Sequence, residues 1–195
     1  MKQLHIITPV KDSIESTLRT IDAVLDSEIN VPFTYTIYND FSTPENTALL
    51  ENKAQHLGFQ LVNLSDLTQH PSPNYLLVLQ RERELCLQED AALLIVESDV
   101  TVKPDTLQGL WDGAMERKDC GMAASVTVDE VGKVNYPYLF ARRMGKQVTS
   151  TRHHCSFCCT LLTNELLRRV DFGLLDSTKN WFDVTISHLS LESGL

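Results

Sequence analysis

The sequence predicts an α/β fold in which helices cover both faces of a mostly parallel sheet. Two observations support this prediction. Strand-like and helix-like segments alternate along the chain, and the predicted strand 91–98 is almost continuously apolar. Alternation implies crossover connections between parallel strands, and a continuously apolar strand is typical of a sheet centre covered on both faces. We therefore expect a three-layer α/β/α architecture.

The individual elements follow from apolar periodicity and from turn residues. Asp12 or Ser13 is expected to cap the first helix, and Gly58 to close the second. A polar, irregular stretch covers 130–152. The predicted strands are 3–10, 33–38, 59–64, 91–98, 122–128 and 155–163. The predicted helices are 13–26, 46–57, 75–88, 104–117, 164–170 and a tail from Trp181.

Composition narrows the function classes. A length of 195 residues suits a single domain spanning 1–195. The net charge of -9 argues against a nucleic-acid surface and against a basic membrane-surface helix. The sequence shows no transmembrane segment or signal peptide, and its odd count of 5 cysteines suggests reduced thiols. These features predict a cytoplasmic protein.

The end of the fourth predicted strand places two acids beside an apolar run. In open α/β sheets, ligands bind outside the carboxyl ends of the strands. Glu97 and Asp99 are two residues apart, so on a strand their side chains face the same side. Paired carboxylates suit Mg²⁺ or Mn²⁺ shared with phosphates. The alternative is that Asp99 caps the following turn and Glu97 is solvated.

Two common nucleotide motifs are absent from the sequence. Neither G-x-G-x-x-G nor G-x-x-x-x-G-K-[ST] occurs. A sheet that binds a nucleotide without a glycine-rich cradle needs another source of positive charge, and a divalent metal supplies it.

Five segments in order resemble motifs of the family 2 glycosyltransferases, which have the GT-A fold. They are HIITPVKDSIESTLRTIDAVL, TIYNDFSTPENT, LLIVESDVTVKPDTL, LLTNELLRRVDFGLLDS and NWFDVTISHLSLESG. The resemblance covers nearly the whole chain, and the ordered set is more specific than any one motif. It implies a GT-A-like domain that transfers a sugar with inversion from a nucleotide-sugar donor to an acceptor hydroxyl, with Mn²⁺ or Mg²⁺ as cofactor.

The resemblance also implies roles for individual residues. Asp99 would bind the metal, with Glu97 as a second candidate ligand, and Asp183 would be the catalytic base. The residues that would contact the donor are Thr8, Pro9, Val10, Asp40, Arg81, Ser98 and Asp99.

Each of these roles has a structural alternative. Asp40 is also suited to a turn or an N-cap, and both roles are compatible because they use different oxygens. Arg81 resembles an exposed helical arginine paired with Glu82 or Glu84. Asp183 is equally suited to an N-cap of the last helix.

Departures from the family pattern keep other functions open. Glu97 replaces an Asp, Phe41 a Gly, Pro44 an Asp, Glu82 an Asn and Phe182 a Glu. The chain also stops where many relatives continue into a C-terminal region. Three alternatives therefore remain: a non-catalytic or regulatory relative that binds a nucleotide-sugar or a protein, a nucleotidyltransferase, and a protein-interaction module.

A last cluster, HHCSFCC over 153–159, contains residues that zinc prefers. No second C-x-x-C motif accompanies it, so we expect a buried strand in which Cys155 and Cys159 face one side and Cys158 the other. His154 and Trp181 are the candidate contacts for a saccharide or another hydroxyl acceptor.

Overall fold

The fold was analysed in a computed structural model that describes residues 1–143, 148–179 and 181–195. Part of the irregular stretch 130–152 therefore lies outside the described residues. The strands are β1 (Gln3–Val10), β2 (Phe33–Asn39), β3 (Gln60–Asn63), β4 (Ala91–Val96), β5 (Met122–Ala124) and β6 (Cys159–Leu162). The helices are α1 (Ile14–Leu25), α2 (Pro44–Leu57), α3 (Tyr75–Glu89), α4 (Thr106–Met115), α5 (Asn164–Arg169) and α6 (Phe182–Glu192).

The six strands form one sheet in the order β3-β2-β1-β4-β6-β5. β1 pairs in parallel with both β2 and β4, and β2 pairs in parallel with β3. β6 lies antiparallel between β4 and β5. The prediction of a mostly parallel sheet is confirmed, and β4 lies inside the sheet, as its apolar sequence predicts.

Two apolar layers cover the sheet. One layer packs α1 and α4 against alternate residues of β1 and β4, including Leu4, Ile6 and Leu94. The opposite layer packs α3, α5 and α6 against residues of the other face, including Ile7 and Leu93. Adjacent strand residues thus enter opposite layers, which is the period of two expected for a strand buried on both faces. No helix in the described residues is both long and apolar enough to cross a bilayer.

All six predicted helices are present, and the starts of α1 and α2 differ from the predicted ones for identifiable reasons. Ser13 is the N-cap residue of α1 but lies in the left-handed region (φ 45°), and its side chain makes no capping hydrogen bond. Asp12 instead accepts hydrogen bonds from the Thr43 amide and the Asn46 side chain, so it ties β1 to the start of α2. Helix α2 begins at Pro44, where the missing amide hydrogen of proline costs nothing in the first turn.

The last strand is shorter than predicted. β6 starts at Cys159, so Cys155 and Cys158 lie in a loop rather than on opposite faces of a strand. The Ser156 carbonyl accepts a hydrogen bond from the Thr160 side chain, and the Ser156 amide donates to Tyr138. The backbone groups of Ser156 are thus bound by side chains instead of by a neighbouring strand. The apolar pattern of the sequence gives no sign of these side-chain contacts.

Candidate functional site

The carboxyl ends of β1, β2 and β4 share one edge of the sheet, because these three strands are parallel neighbours. The Asp40 amide donates a 2.7 Å hydrogen bond to the Val10 carbonyl, which joins the ends of β1 and β2 directly. Glu97 follows β4 immediately. The polar clusters identified in the sequence thus lie along a single edge, where open α/β sheets bind ligands.

Glu97 is an acid at this edge whose pKa is raised. Its Oε1 accepts a 3.0 Å hydrogen bond from the hydroxyl of Tyr75, at the start of α3. Burial, and to a smaller extent the negative charges of Asp99 and Asp183, raise the pKa of Glu97 to about 7, although the Tyr75 hydrogen bond opposes the rise. A strongly shifted carboxylate with named charge partners is typical of functional sites.

Asp99, in the middle of the sequence, and Asp183, near its end, both reach this edge. Asp99 is exposed in the turn after β4, while Asp183 is half-buried in the first turn of α6. The packing of α6 explains the second position, since the Phe182 ring stacks on Tyr75 with 6.3 Å between centroids. Asp183 is not the N-cap residue, which is Trp181, although its Oδ1 accepts from the Val184 amide at 2.8 Å. The fold therefore brings Asp99 and Asp183 close enough to Glu97 for their charges to act on it.

These acids offer hard oxygen ligands but do not form a closed metal cage. In the described part of the chain, the one group of three or more potential ligands within 4.8 Å of each other is elsewhere in the fold. These residues fit a divalent cation that is bound together with a phosphate ligand. In such sites one or two carboxylates hold the ion and the phosphates supply further oxygens. The mutual repulsion of the carboxylates also favours a cation.

Asp40 is held firmly by the loop that precedes α3. Its Oδ2 accepts hydrogen bonds from the Ser72 hydroxyl (2.7 Å) and the Asn74 amide (2.9 Å). Its Oδ1 accepts from the Asn74 side chain at 2.7 Å. The carboxylate thus closes this loop onto the end of β2, with one hydrogen bond on Oδ1 and two on Oδ2.

The β1 residues predicted to contact the donor have mostly buried side chains. Thr8 is buried and its hydroxyl lies 3.0 Å from the hydroxyl of Tyr35. Val10 is part of the core on the same side of the sheet. Pro9 is half-buried. Contact of this segment with a ligand would therefore involve Pro9 and backbone groups rather than the Thr8 or Val10 side chains.

Arg81 is exposed on α3 and enters neither predicted ion pair within the described residues. Glu84 pairs with Arg83 at 2.6 Å, and Glu82 is buried in contact with His5 and Tyr38. Burial and Glu82 raise the pKa of Tyr38, and the nearby Arg81 guanidinium opposes that rise. Arg81 thus lies close to the ring at the end of β2, with a guanidinium that is available to a phosphate or a base.

The two candidate acceptor residues differ in exposure. Trp181 is 70% exposed just before α6, two residues from Asp183. His154 is half-buried and its ring packs at a tilt against Tyr136, with 5.8 Å between centroids. The Cys residues of the 153–159 cluster are free thiols.

Three residues of the polar clusters, Tyr75, Cys158 and His5, have no such role in the sequence-based predictions. The sequence predicts Tyr75 only as the start of a helix and Cys158 only as a strand residue. The Cys158 carbonyl accepts a hydrogen bond from the Glu97 amide at 3.0 Å, and burial, together with Glu97 and Asp99, raises the pKa of the Cys158 thiol. His5 lies 3.1 Å from the buried carboxylate of Glu82, 77 residues away. A polar residue inside an apolar strand was the available signal for His5.

Comparison with known proteins gives similarity in structure but not in sequence. No protein-family model matches the chain, and no curated protein matches it. TarS residues 1–349 from S. aureus matches with a TM-score of 0.60 and 13% identity, over 96% of this chain and 55% of that one. Another TarS structure contains UDP-GlcNAc.

Two further structures show the same similarity. The mannosyltransferase PcManGT from Pyrobaculum calidifontis, in complex with GDP-Man and Mn²⁺, has a TM-score of 0.58 and 14% identity, over 85% of this chain and 46% of that one. Glucosyl-3-phosphoglycerate synthase from Mycobacterium tuberculosis, in complex with Mn²⁺, UDP and glucosyl-3-phosphoglycerate, has the same score and identity, over 99% and 66%. The chain spans about half the length of the first structures it matches. These similarities establish a GT-A-like α/β fold.

Proposed function

We propose that this chain is a glycosyltransferase domain that moves a sugar from a nucleoside-diphosphate sugar to an acceptor hydroxyl with inversion. The observation that carries the proposal is the gathering of Glu97, Asp99 and Asp183 at the carboxyl edge of the sheet. The GT-A-like fold supports it, because three structurally similar proteins were crystallised with UDP-GlcNAc, with GDP-Man and Mn²⁺, or with UDP and Mn²⁺.

Asp99 is the proposed ligand for Mn²⁺ or Mg²⁺, with Glu97 beside it. Asp99 is exposed, so it is accessible to an ion that arrives with a diphosphate. The bound ion would neutralise charge on the departing diphosphate. Glu97 contributes a second carboxylate that the Tyr75 hydroxyl orients.

Asp183 is the proposed general base. Its Oδ1 accepts a hydrogen bond from the backbone, which fixes the carboxylate and leaves Oδ2 for an acceptor hydroxyl. The acceptor oxygen would form a bond to the anomeric carbon from the face opposite the diphosphate. The carbon–oxygen bond to the diphosphate would break with its electron pair leaving on the diphosphate, and the hydroxyl proton would pass to Asp183. A single displacement of this kind inverts the anomeric centre.

The nucleotide would lie over the ends of β1 and β2. Arg81 supplies a positive charge there, while Pro9 and the neighbouring backbone supply surface. Asp40 Oδ1 receives only one of the three described hydrogen bonds, so it keeps a lone pair for a base imide or a ribose hydroxyl. Trp181 and His154 are the proposed acceptor contacts.

Calorimetric titration with UDP, GDP, ADP and CDP, each with and without Mn²⁺, tests the donor site. We expect at least one nucleotide to bind in a Mn²⁺-dependent manner, and Asp99→Asn to weaken that binding at least about tenfold, since it removes a charged ligand. Asp105→Asn is the matched control, because Asp105 is also exposed and its side chain makes no capping hydrogen bond. Absence of binding by all four nucleotides, or equal binding by Asp99→Asn, would contradict the proposal.

A second candidate function is a relative that binds nucleotide-sugar without transferring it. The observation in its favour is that Glu82, at a position where the family has Asn, is buried and already bound to His5 and Tyr38. Release of nucleoside diphosphate from the bound nucleotide-sugar distinguishes the two functions. Binding without release in the presence of varied hydroxyl acceptors would favour this second function.

A further inference from the structure

A second cluster of potential metal ligands lies in the interior, between β1 and α3. Glu82, Cys86 and Glu89 are spaced i, i+4 and i+7 on α3, so they share one face of the helix. His5 extends from β1 toward that face. The cluster belongs to the layer that also contains Ile7, and it is distinct from the acids that follow β4.

Three members of the cluster are close together and almost fully buried. His5 is 6% exposed, Glu82 2% and Cys86 0%. One ligand atom of each lies within 4.8 Å of the other two. His5 Nδ1 is 3.1 Å from Glu82 Oε2. Ligand atoms around a tetrahedral zinc ion are separated by about 3.3–3.8 Å, so only a small adjustment of side chains would be required.

We propose that His5, Glu82 and Cys86 bind one Zn²⁺ ion in the interior of the protein. Imidazole nitrogen, carboxylate oxygen and thiolate sulfur are the three ligand types that zinc takes in proteins, and water would complete four-coordination. The thiolate favours Zn²⁺ over Mg²⁺ or Mn²⁺, because soft sulfur is a poor ligand for hard cations. The site therefore differs in ligand chemistry from the acidic edge that holds Asp99.

The surrounding hydrogen bonds are those that a zinc site needs. With Nδ1 on the metal, His5 Nε2 would donate its hydrogen to Glu89, whose Oε2 lies 3.1 Å away. A carboxylate that receives the second imidazole hydrogen fixes the ring and makes it a stronger ligand. The Tyr38 hydroxyl likewise donates to Glu82 Oε1, leaving Oε2 for the ion. The Glu89 side chain is 47% exposed, so the cluster lies close to the protein surface on this side.

Charge balance favours occupation of this buried site. Without metal, each His5 nitrogen lies 3.1 Å from a carboxylate oxygen, which is the arrangement of an imidazolium between two acids. Zn²⁺ would take the place of the hydrogen between His5 Nδ1 and Glu82 Oε2. Its two positive charges would match the Glu82 carboxylate and a Cys86 thiolate, so the ligand set would be neutral.

Titration of tag-free, chelator-treated, reduced protein with Zn²⁺ and with Co²⁺ tests the proposal. We expect one ion per chain that Cys86→Ala abolishes, and a thiolate-to-cobalt charge-transfer absorption that Cys86→Ala removes. Cys155→Ala is the matched control, because it deletes a thiol of the 153–159 cluster and should leave both signals unchanged. Glu89→Gln should weaken Zn²⁺ binding about 10–100-fold without loss of the fold, since Glu89 is partly exposed.

Several results of these titrations would contradict the proposed zinc site. No Zn²⁺ binding by the wild-type chain, or a charge-transfer absorption that persists in Cys86→Ala, would overturn the proposal. Loss of the signal in Cys155→Ala would also overturn it, because the metal would then belong to the other cysteine cluster. If Cys86→Ala does not fold, Glu89→Gln decides, and an unchanged affinity in that variant would reject the site.

Discussion

The Tyr75 hydroxyl donates a 3.0 Å hydrogen bond to Glu97 Oε1, and this contact joins the first turn of α3 to the end of β4. The Tyr75 ring also stacks on Phe182 at the start of α6, with an interplanar angle of 4°. One side chain thus positions two of the three acids at the candidate site, Glu97 through its hydroxyl and Asp183 through the helix start.

Tyr75→Phe should separate these two contributions, because it removes the hydroxyl but keeps the ring. We expect the free energy of unfolding to fall by about 1 kcal/mol, the usual net value of a buried hydrogen bond. Urea denaturation at pH 6 measures the change. Tyr136→Phe is the control, since Tyr136 is 75% exposed and should change stability by less than about 0.5 kcal/mol. Equal effects of the two substitutions would show that the Tyr75–Glu97 contact is not stabilising.

Glu97 should make the stability of the metal-free protein depend on pH. Its folded pKa of about 7 is higher than the ordinary value of 4.5, mainly because of burial. Stability from the protonated form is therefore fully present below 4.5 and is lost as the pH rises through about 7.

Glu97→Gln removes this titration and keeps a carbonyl oxygen as the acceptor for Tyr75. We expect the variant to be more stable than the wild type at pH 8, by up to about 3 kcal/mol, and the difference to disappear near pH 4. Urea denaturation between pH 4 and 8, with chelator present, measures both limits. A constant difference across this range would contradict the raised pKa.

Asp40 should contribute to stability as well as to any contact with a base. Asp40→Ala leaves the Ser72 hydroxyl and two donors of Asn74 without their acceptor, so we expect a loss of about 2–3 kcal/mol. Thermal and urea denaturation check this value. Asp66→Ala alters an exposed carboxylate in the connection between β3 and α3, which also contains Ser72 and Asn74, and serves as the control. A loss no larger than that of Asp66→Ala would mean that the loop does not depend on Asp40.

The parallel part of the fold was predictable because local signals determine it. Alternating strands and helices imply crossovers, and the continuous apolar sequence of β4 indicates burial on both faces. The prediction for β1, 3–10, agrees with the structure at both ends. The edge shared by Glu97, Asp99 and Asp40 follows from this topology, since the carboxyl ends of parallel neighbours meet.

The remaining features depend on contacts between residues far apart in sequence. The pairing of β6 antiparallel to β4 is determined by packing of the second half of the chain. The link between His5 and Glu82 spans 77 residues, and the link between Tyr75 and Glu97 spans 22. Neither helical nor strand periodicity carries information on such pairs, so the polar interior of the α3 layer could not be predicted.

Asp183→Asn should separate binding from chemistry if the proposed base is correct. The amide oxygen still accepts the hydrogen bond from Val184, so the start of α6 and the affinity for nucleotide should be unchanged. An amide cannot take a proton from a hydroxyl, and we therefore expect kcat for sugar transfer to fall at least about 100-fold. Initial rates of nucleoside diphosphate release, with calorimetry of nucleotide binding, measure the two effects. Glu192→Gln, at the exposed end of the same helix, should leave both unchanged, and transfer by Asp183→Asn at the wild-type rate would exclude Asp183 as the base.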